Sequence, residues 1–409
     1  MTLYELSKFL SDGRADSLFS RIYRDNNLEK LRQRARYFSA AENFSKAFPL
    51  CDSVHIFSVP SFMNICGGFS EIDFGEAVMC AVTCDMVGLA SYHEEPVIRI
   101  FSDFSQPTEI DLAALTVNES ADSSTLYKIA AELLKRGYKI RGADIYVSSD
   151  IPENKGFSRD VPFDVLIADI LNCGCDFPLS DAEIAEIVTS AEGFAADSFR
   201  FFEVYLCTVG GMLHVTPNAE DKNFVHKIEY DFTVCGYSVC MNDTSDKNIS
   251  SYSENEEIHR DIEAVAKAMG VEKLCDVAEE DFYGSLAEIR QKCSERAALR
   301  GIVYFEEKNL TAEAADALMT GRSDCFFACL DKIAMGLNNR PTEAVELAFR
   351  LSRKLLCGCG AVKVSGSNVQ AFVPNYMINF FTSAFEDVFG HGSTLIFSVR
   401  KGKIGEIYV

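Results

Sequence analysis

Glu76-Ala-Val-Met-Cys-Ala-Val-Thr-Cys-Asp-Met-Val-Gly-Leu-Ala-Ser91 is the stretch on which the fold turns. In an extended chain Val78, Cys80, Val82 and Cys84 point to one side, and Ala77, Met79, Ala81 and Thr83 to the other. Both faces are therefore apolar, as a strand buried inside a sheet requires. Asp85 interrupts the run. Upstream, Ser53-Val-His-Ile-Phe-Ser-Val-Pro60 reads as a second strand, with Gly67-Gly68 as a turn between the two. Residues 1–49 carry Leu3, Leu6, Phe9 and Leu10, then Leu28, Leu31, Ala35 and Phe38, at helical steps. Downstream, 97–101 and 108–112 read as a hairpin, 123–136 as a helix stopped by Gly137, and 142–149 as a strand. A loop, Ile151-Pro-Glu-Asn-Lys-Gly156, leads into a helix through Asn172, and a helix over 181–195 starts at Ser180 or Asp181. The second half reads as strands near 204–215, 225–232 and 237–242 and a polar loop over 243–255. Helices follow over 256–269, 282–299, 311–318, 324–336 and 342–356. Strands at 361–373 and 394–400 flank a last helix over 376–389. The pattern is α+β in two intimate halves that meet near residue 200.

The 409 residues suggest two or three domains at roughly 150 residues each. With 39 Lys+Arg against 61 Asp+Glu, the net charge is 39 − 61 = −22. That balance argues against a nucleic acid or an anionic membrane surface as partner, since both are held by clustered cations. No run approaches the roughly 18 apolar residues of a membrane span. Glu5, Lys8 and Asp12 interrupt what a signal peptide would need as an apolar core, so the cytoplasm is the expected compartment. Cys173/Cys175 and Cys357/Cys359 are CxC pairs, the remaining cysteines lack zinc-like spacing, and the six histidines are scattered. No metal site is expected.

Three segments, met in order, resemble signatures of the galactokinase branch of the GHMP small-molecule kinases. Val59-Pro-Ser-Phe-Met-Asn-Ile-Cys-Gly67, with Glu71 and Gly75 beyond it, resembles APGRVNLIGEHTDYNxG and keeps Pro60, Asn64, Gly67 and Gly75. Ile151-Pro-Glu-Asn-Lys-Gly-Phe-Ser158 resembles the phosphate loop PxGxGLSSSAALE, and residues 360–374 resemble a Gly-rich turn between two strands. The resemblance runs from about Arg34 to the C-terminus. It implies a GHMP-kinase-like fold with a ribosomal-protein-S5-like α/β domain over 34–200. A ferredoxin-like α+β domain over 201–409 follows, and a helical extension over 1–33 precedes both. It further implies a small sugar-like ligand, with ATP and Mg as cofactors only if the protein is active.

Phosphoryl transfer needs a phosphate cradle, a cation on the developing charge and a group that positions the attacking hydroxyl. In the loop, Gly156 and Ser158 are kept, but Asn154 and Lys155 stand where the family has Gly and its neighbour, and Arg159 and Asp160 replace serines. Asp160 suits a helix cap and Pro162 a first turn, with no nucleotide involved. A carboxylate there repels a triphosphate, which Lys155 and Arg159 offset only in part. The family's catalytic Arg falls on Phe62, its Glu-His pair on Gly68 and Phe69, and its Asp on Glu71. With Asn64 and Gly67, Gly68 and Glu71 form the implied sugar-binding set. The catalytic Asp of GIMDQ falls on Glu203, seven residues before Gly210, where one extra methylene would displace the base. The third signature keeps Gly366, which serves a plain hairpin, while Val369 and Gln370 narrow its turn.

Drift at every signature points to a non-catalytic or regulatory ligand-binding homologue. The alternative is a divergent ATP-dependent galactokinase or other small-molecule kinase using Glu203. A third reading makes the N-terminal helices a docking surface for a protein partner. A cleft filled by Phe62, Phe69, Phe157 and Phe202 would argue against any ligand.

Overall fold

The computed structural model describes residues 1–23, 27–67, 75–115, 124–153, 155–175, 178–194, 198–216, 225–244, 251–336 and 342–400. Three helices open the chain: α1 (Leu3–Ser11), α2 (Asp16–Ile22) and α3 (Asn27–Ala47). Then come β1 (His55–Cys66), β2 (Ala77–His93), β3 (Val97–Ser102), β4 (Thr108–Asp111) and a single turn, α4 (Leu112–Leu115). The first half continues through α5 (Thr125–Lys135), β5 (Gly142–Ser149), α6 (Asp160–Cys173) and α7 (Asp181–Glu192). Next are α8 (Phe199–Val209), β6 (Met212–Val215) and β7 (Val225–Lys227). The two divisions expected at 33/34 and 200/201 fall inside α3 and α8.

Among the described residues these strands form a seven-stranded sheet ordered β4-β3-β5-β2-β6-β7, with β1 also paired to β2. Since β1 follows β2 from Val78 to Ala90, β5 and β6 must share the other edge, at Met86–His93 and Ala77–Cys80. The gap between them is filled by the far end of the chain. Thr83 N donates to Ser398 O at 3.1 Å, and Arg400 N donates to Ala81 O at 2.9 Å. β2 is thus flanked on both edges and buried on both faces, as its composition requires.

Its two faces have different covers. Leu166 and Ile170 of α6 close on Gly88, where an added Cβ would lie 3.0 Å from Ile170. On the other face Leu6, Leu10, Phe19, Tyr37 and Phe44 of the opening helices form one apolar cluster with Ile56, Val87, Leu89 and Tyr146. Phe199, Phe202 and Leu206 of α8 cover Ala77, Met79 and Ala81 further along. Asp85 lies between these two apolar patches, fully buried. Its carboxylate accepts from Arg36 Nη1 at 2.6 Å, Arg400 Nη1 at 3.0 Å, Tyr23 OH at 2.8 Å and the Ser58 hydroxyl. Burial pushes this carboxyl up, but the two guanidiniums outweigh it and hold the group below its usual range.

The second half holds β8 (Tyr237–Asp243), α9 (Ser251–Ala268), α10 (Glu279–Gly284), α11 (Leu286–Lys292) and α12 (Glu295–Met319). It closes with α13 (Ser323–Gly336), α14 (Glu343–Leu356), β9 (Ala361–Ser365), β10 (Asn368–Pro374), α15 (Ile378–Phe389) and β11 (Thr394–Phe397). Its antiparallel sheet runs β11-β8-β10-β9. Four expectations need correction. The helices expected over 282–299 and 311–318 are instead α10, α11 and one continuous α12. The strand expected from 204 is helical to Val209, because Phe199, Phe202 and Leu206 form a stripe at helical spacing. Gly210 and Gly211, at φ +66° and +81°, then turn the chain into β6. The strand expected over 225–232 pairs only at Val225–Lys227, and the loop over 243–255 yields to α9 at Ser251.

Val82 and Ile167 are both essentially inaccessible. Val82→Asp and Ile167→Asp should each cost several kcal/mol in chemical denaturation, whereas Asp160→Ser, at an exposed helix start, should cost far less. Asp85→Asn leaves two buried guanidiniums facing a neutral amide and should cost roughly 3–5 kcal/mol. An Asp85→Asn protein with the wild-type denaturation midpoint would contradict the burial of that carboxylate.

Candidate functional site

The loop between β5 and α6 is docked on the second half of the molecule by its own side chains. Lys155 Nζ donates to Gly392 O at 2.9 Å and lies 3.5 Å from Asp243 Oδ2. Gly156 has φ +80°, and a Cβ there would come within 2.8 Å of Asn368 Nδ2, so only Gly allows this approach. The Phe157 ring packs on Phe397 at 4.8 Å between centroids. Ser158 O accepts from Ser61 Oγ at 3.3 Å. Arg159 turns back on its own loop, donating to Ile151 O at 3.0 Å and pairing with Glu153 at 3.3 Å. Asp160 is the first helical residue, and the cap position belongs to Arg159, which makes no side-chain capping bond. The cap expected of Asp160 is therefore not formed. Asn154 lies outside the described residues.

Strand register explains what the loop meets. Asn368, Gln370 and Phe372 share one face of β10. Their cross-strand neighbours are Asp243, Met241 and Val239 on β8 and Ser365, Lys363 and Ala361 on β9. The polar end of that face receives Lys155 and Gly156. Gln370 Nε2 also donates to Asn64 O at 2.9 Å, and Asn64 Nδ2 donates to Gly67 O at 2.9 Å. Asn64 Oδ1, Gln370 Oε1 and Asn368 Oδ1 are buried carbonyl oxygens with no hydrogen-bond partner among the described residues. The structure thus gathers Asn64, Gly67, Lys155, Gly156, Asn368 and Gln370 at one junction. Gly366 stays in the turn between β9 and β10, at φ +56°, with open space around it. Gly68, Phe69 and Glu71 lie outside the described residues.

The remaining aromatics are packing groups. Phe62 is half-buried beside a register break in β1, opposite Ala81, and Phe157 and Phe202 are buried. Glu203 lies on α8 rather than on a strand, and its carboxylate accepts from Arg200 Nη1 at 2.9 Å. Arg200 also clasps Glu192 through Nε at 2.6 Å and Nη2 at 3.0 Å. Asp164, one turn into α6, belongs to the same acidic group. Burial pushes its carboxyl up to about 8, Glu192 and Asp160 add to this, and Arg200 opposes it. Sequence reasoning missed Arg200, Asp164 and Asp243. Arg200 and Glu203 sit three residues apart, a helical spacing that would have linked them had α8 been recognised.

The donor set fits a magnesium–phosphate complex poorly. Asp243 is the carboxylate that faces the loop, and the Lys155 ammonium already neutralises it. Among the described residues no group of three or more His, Cys, Asp or Glu is arranged to hold a metal. Nor is any described helix long and apolar enough to cross a membrane.

No family model matches the chain. Galactokinase from Actinobacillus pleuropneumoniae serotype 3 is 25% identical over 289 residues, covering 68% of this chain and 72% of that protein. Galactokinase from Clostridium perfringens is 20% identical over 395 residues, covering 88% and 96%. The crystal structure of Lactococcus lactis galactokinase complexed with galactose superposes with a TM-score of 0.72 at 17% identity, covering 89% of this chain and 97% of that one. Methanococcus jannaschii mevalonate kinase superposes with a TM-score of 0.59 at 15% identity, covering 85% and 98%. The fold is that of the two-domain GHMP kinases. Within that class, the chain is similar to galactokinases in sequence and in fold.

The raised Asp164 value fixes a pH dependence. Its ordinary value is 3.8 and its folded value about 8, so between these the folded state binds the extra proton. Stability then falls as pH rises through that window, is unaffected below it and levels off above it. Asp164→Asn removes the effect. Its stability relative to wild type should climb by a few kcal/mol from pH 4 to pH 8 and then stay constant. A pH-independent difference in denaturant midpoints would contradict the assignment.

Proposed function

We propose that this chain is a non-catalytic galactokinase homologue that binds a small neutral sugar-like ligand between its halves. In this reading the former phosphate cradle has become an internal clamp. The carrying observation is Lys155, whose ammonium bonds Gly392 O, just before β11, and Asp243, at the end of β8, across the space between the loop and the second sheet. Gly156 against Asn368 and Phe157 against Phe397 close the same gap. A bound triphosphate would have to displace all three contacts and leave Asp243 facing its own charge. With Phe62 at the family's Arg position, no cation from β1 would stabilise a transferring phosphoryl group.

The ligand class follows from the unsatisfied atoms. Asn64 Oδ1, Asn368 Oδ1 and Gln370 Oε1 are acceptors. Acceptors recruit hydroxyl donors and repel phosphate oxygens, which favours a polyol over a nucleotide. The solved galactokinase with galactose lends this support by analogy. Domains over 34–200 and 201–409, behind the extension 1–33, would form the two walls. Asn64, Gly67, Gly68, Glu71 and Gly366 would serve the ligand side. A divergent kinase is the second reading, favoured by the Arg200–Glu203 pair, which sets a carboxylate beside a guanidinium on α8. It would need the clamp to open before Mg-ATP could enter.

Thermal denaturation with ligand separates the two, because a saturating ligand must stabilise the folded state it binds. Galactose or another neutral sugar should raise the Tm, and millimolar Mg-ATP should leave it unchanged. Phe62→Arg alone should not restore an Mg-ATP response, because Lys155 and Asp160 remain in place. A clear Mg-ATP shift in the wild type would overturn the non-catalytic reading. Silence to every sugar would overturn the ligand and leave a protein–protein role.

A further inference from the structure

The chain contains the triplet Cys-Gly-Cys twice, each time at the C-terminal end of a helix: Cys173-Gly174-Cys175 after α6 and Cys357-Gly358-Cys359 after α14. Neither takes part in the site described above, and the two are built differently. In the first, Gly174 keeps a right-handed conformation at φ −78° and fits against the Tyr92 ring, which a Cβ would meet at 2.9 Å. Cys175 is half-buried, and its thiol donates to Leu171 O at 3.3 Å.

In the second triplet both cysteines are exposed. Cys357 has φ +50° and is the only non-glycine residue with a positive φ among the described residues. Gly358 follows at φ +83°, and Cys359 N closes the turn on Leu356 O at 2.9 Å. Two successive left-handed residues fold the chain back sharply and hold the two cysteines on one tight turn. Beside the turn lies a cavity of about 220 Å³ lined by Cys357, Gly358, Arg353, Lys354 and Asp331. Cys357 Sγ donates to Lys354 O at 3.1 Å. Cys359 contacts the hydroxyl of the exposed Tyr376 outside the lining of that cavity.

We propose that Cys357-Gly358-Cys359 is a redox-active dithiol whose oxidant is an anionic low-molecular-weight disulfide seated in this cavity. Arg353, which also pairs with Asp331 at 3.8 Å, and the exposed Lys354 supply the attraction for its carboxylates. Cys357 loses its proton to solvent, and its thiolate attacks one sulfur of the disulfide. The other sulfur leaves as a thiolate and is protonated. Cys359, deprotonated in turn, attacks the Cys357 sulfur and displaces the second thiolate. The protein gains one S–S bond and loses two hydrogens, and the small disulfide becomes two thiols. The turn carries both cysteines two residues apart, and Gly358 supplies the backbone freedom that the small ring needs.

The test treats the fully reduced whole chain with glutathione disulfide and follows peptides by mass spectrometry. The peptide carrying Cys357 and Cys359 should lose two hydrogens, well before the peptide carrying Cys173 and Cys175. Cys359→Ser should stop at a glutathione adduct on Cys357. Cys357→Ser and Cys357→Gly should both abolish the internal disulfide, and the glycine variant accommodates the positive φ without strain. The neutral probe hydroxyethyl disulfide should react several-fold more slowly, and Arg353→Gln with Lys354→Gln should erase that preference. The proposal fails if the two triplets oxidise at the same rate. It fails equally if the charge of the disulfide makes no difference, or if exposed Cys235 is modified while Cys357 and Cys359 stay reduced.

Discussion

A single carboxylate, Asp85, joins parts of the chain that are distant in sequence. It sits in the middle of the most apolar strand and is reached by Arg36 from α3, Tyr23 beyond α2, Ser58 from β1 and Arg400 from the far end of the chain. An isolated charge in that position would be very costly. With two guanidiniums and two hydroxyls around it, the charged form is the stable one. The constraint is geometric as well, because Arg400 can arrive only if residues 398–400 lie along β2 in the gap between β5 and β6. The opening helices are held to the sheet by the same group. Their apolar side is spent on Val87, Leu89 and Tyr146, so that side is unavailable to a docking partner.

With the sheet so fixed, the loop after β5 emerges opposite the polar end of the second sheet, where the two halves meet. In a nucleotide-binding version of this geometry the gap would take phosphates, and free backbone N–H groups would face them. Here Lys155, Gly156 and Phe157 each carry a contact across the gap, to Gly392 and Asp243, Asn368 and Phe397. In the proposed function, the residues that stand in place of the family's phosphate loop are thus the ones that form the clamp. Glu203 is likewise engaged, since Arg200 holds its carboxylate within a buried acidic group.

Much of this was legible in the sequence because it rests on local pattern. The two-sided apolar run of β2, the crowded apolar positions of α6 and the Gly366 hairpin all follow from periodicity and turn chemistry. What stayed hidden was long-range. Lys155 finds its carbonyl partner 237 residues away, and Arg400 finds Asp85 at a separation of 315, and no spacing rule reaches so far. The misreading of α8 had a different cause. Phe, Val, Tyr and Cys favour strands by propensity, and the stripe of Phe199, Phe202 and Leu206 outweighed that preference only through contact with β2. Once α8 was lost, so was the Arg200–Glu203 pair.

The central claim is that the galactokinase-like fold persists here without its phosphoryl transfer. Steady-state ADP release by the purified chain, across a panel of sugars, polyols and mevalonate-like acids with saturating Mg-ATP, tests it most directly. The account predicts no sugar-dependent release above background. A turnover of about one per second on any member of the panel, the ordinary scale for such kinases, would contradict it.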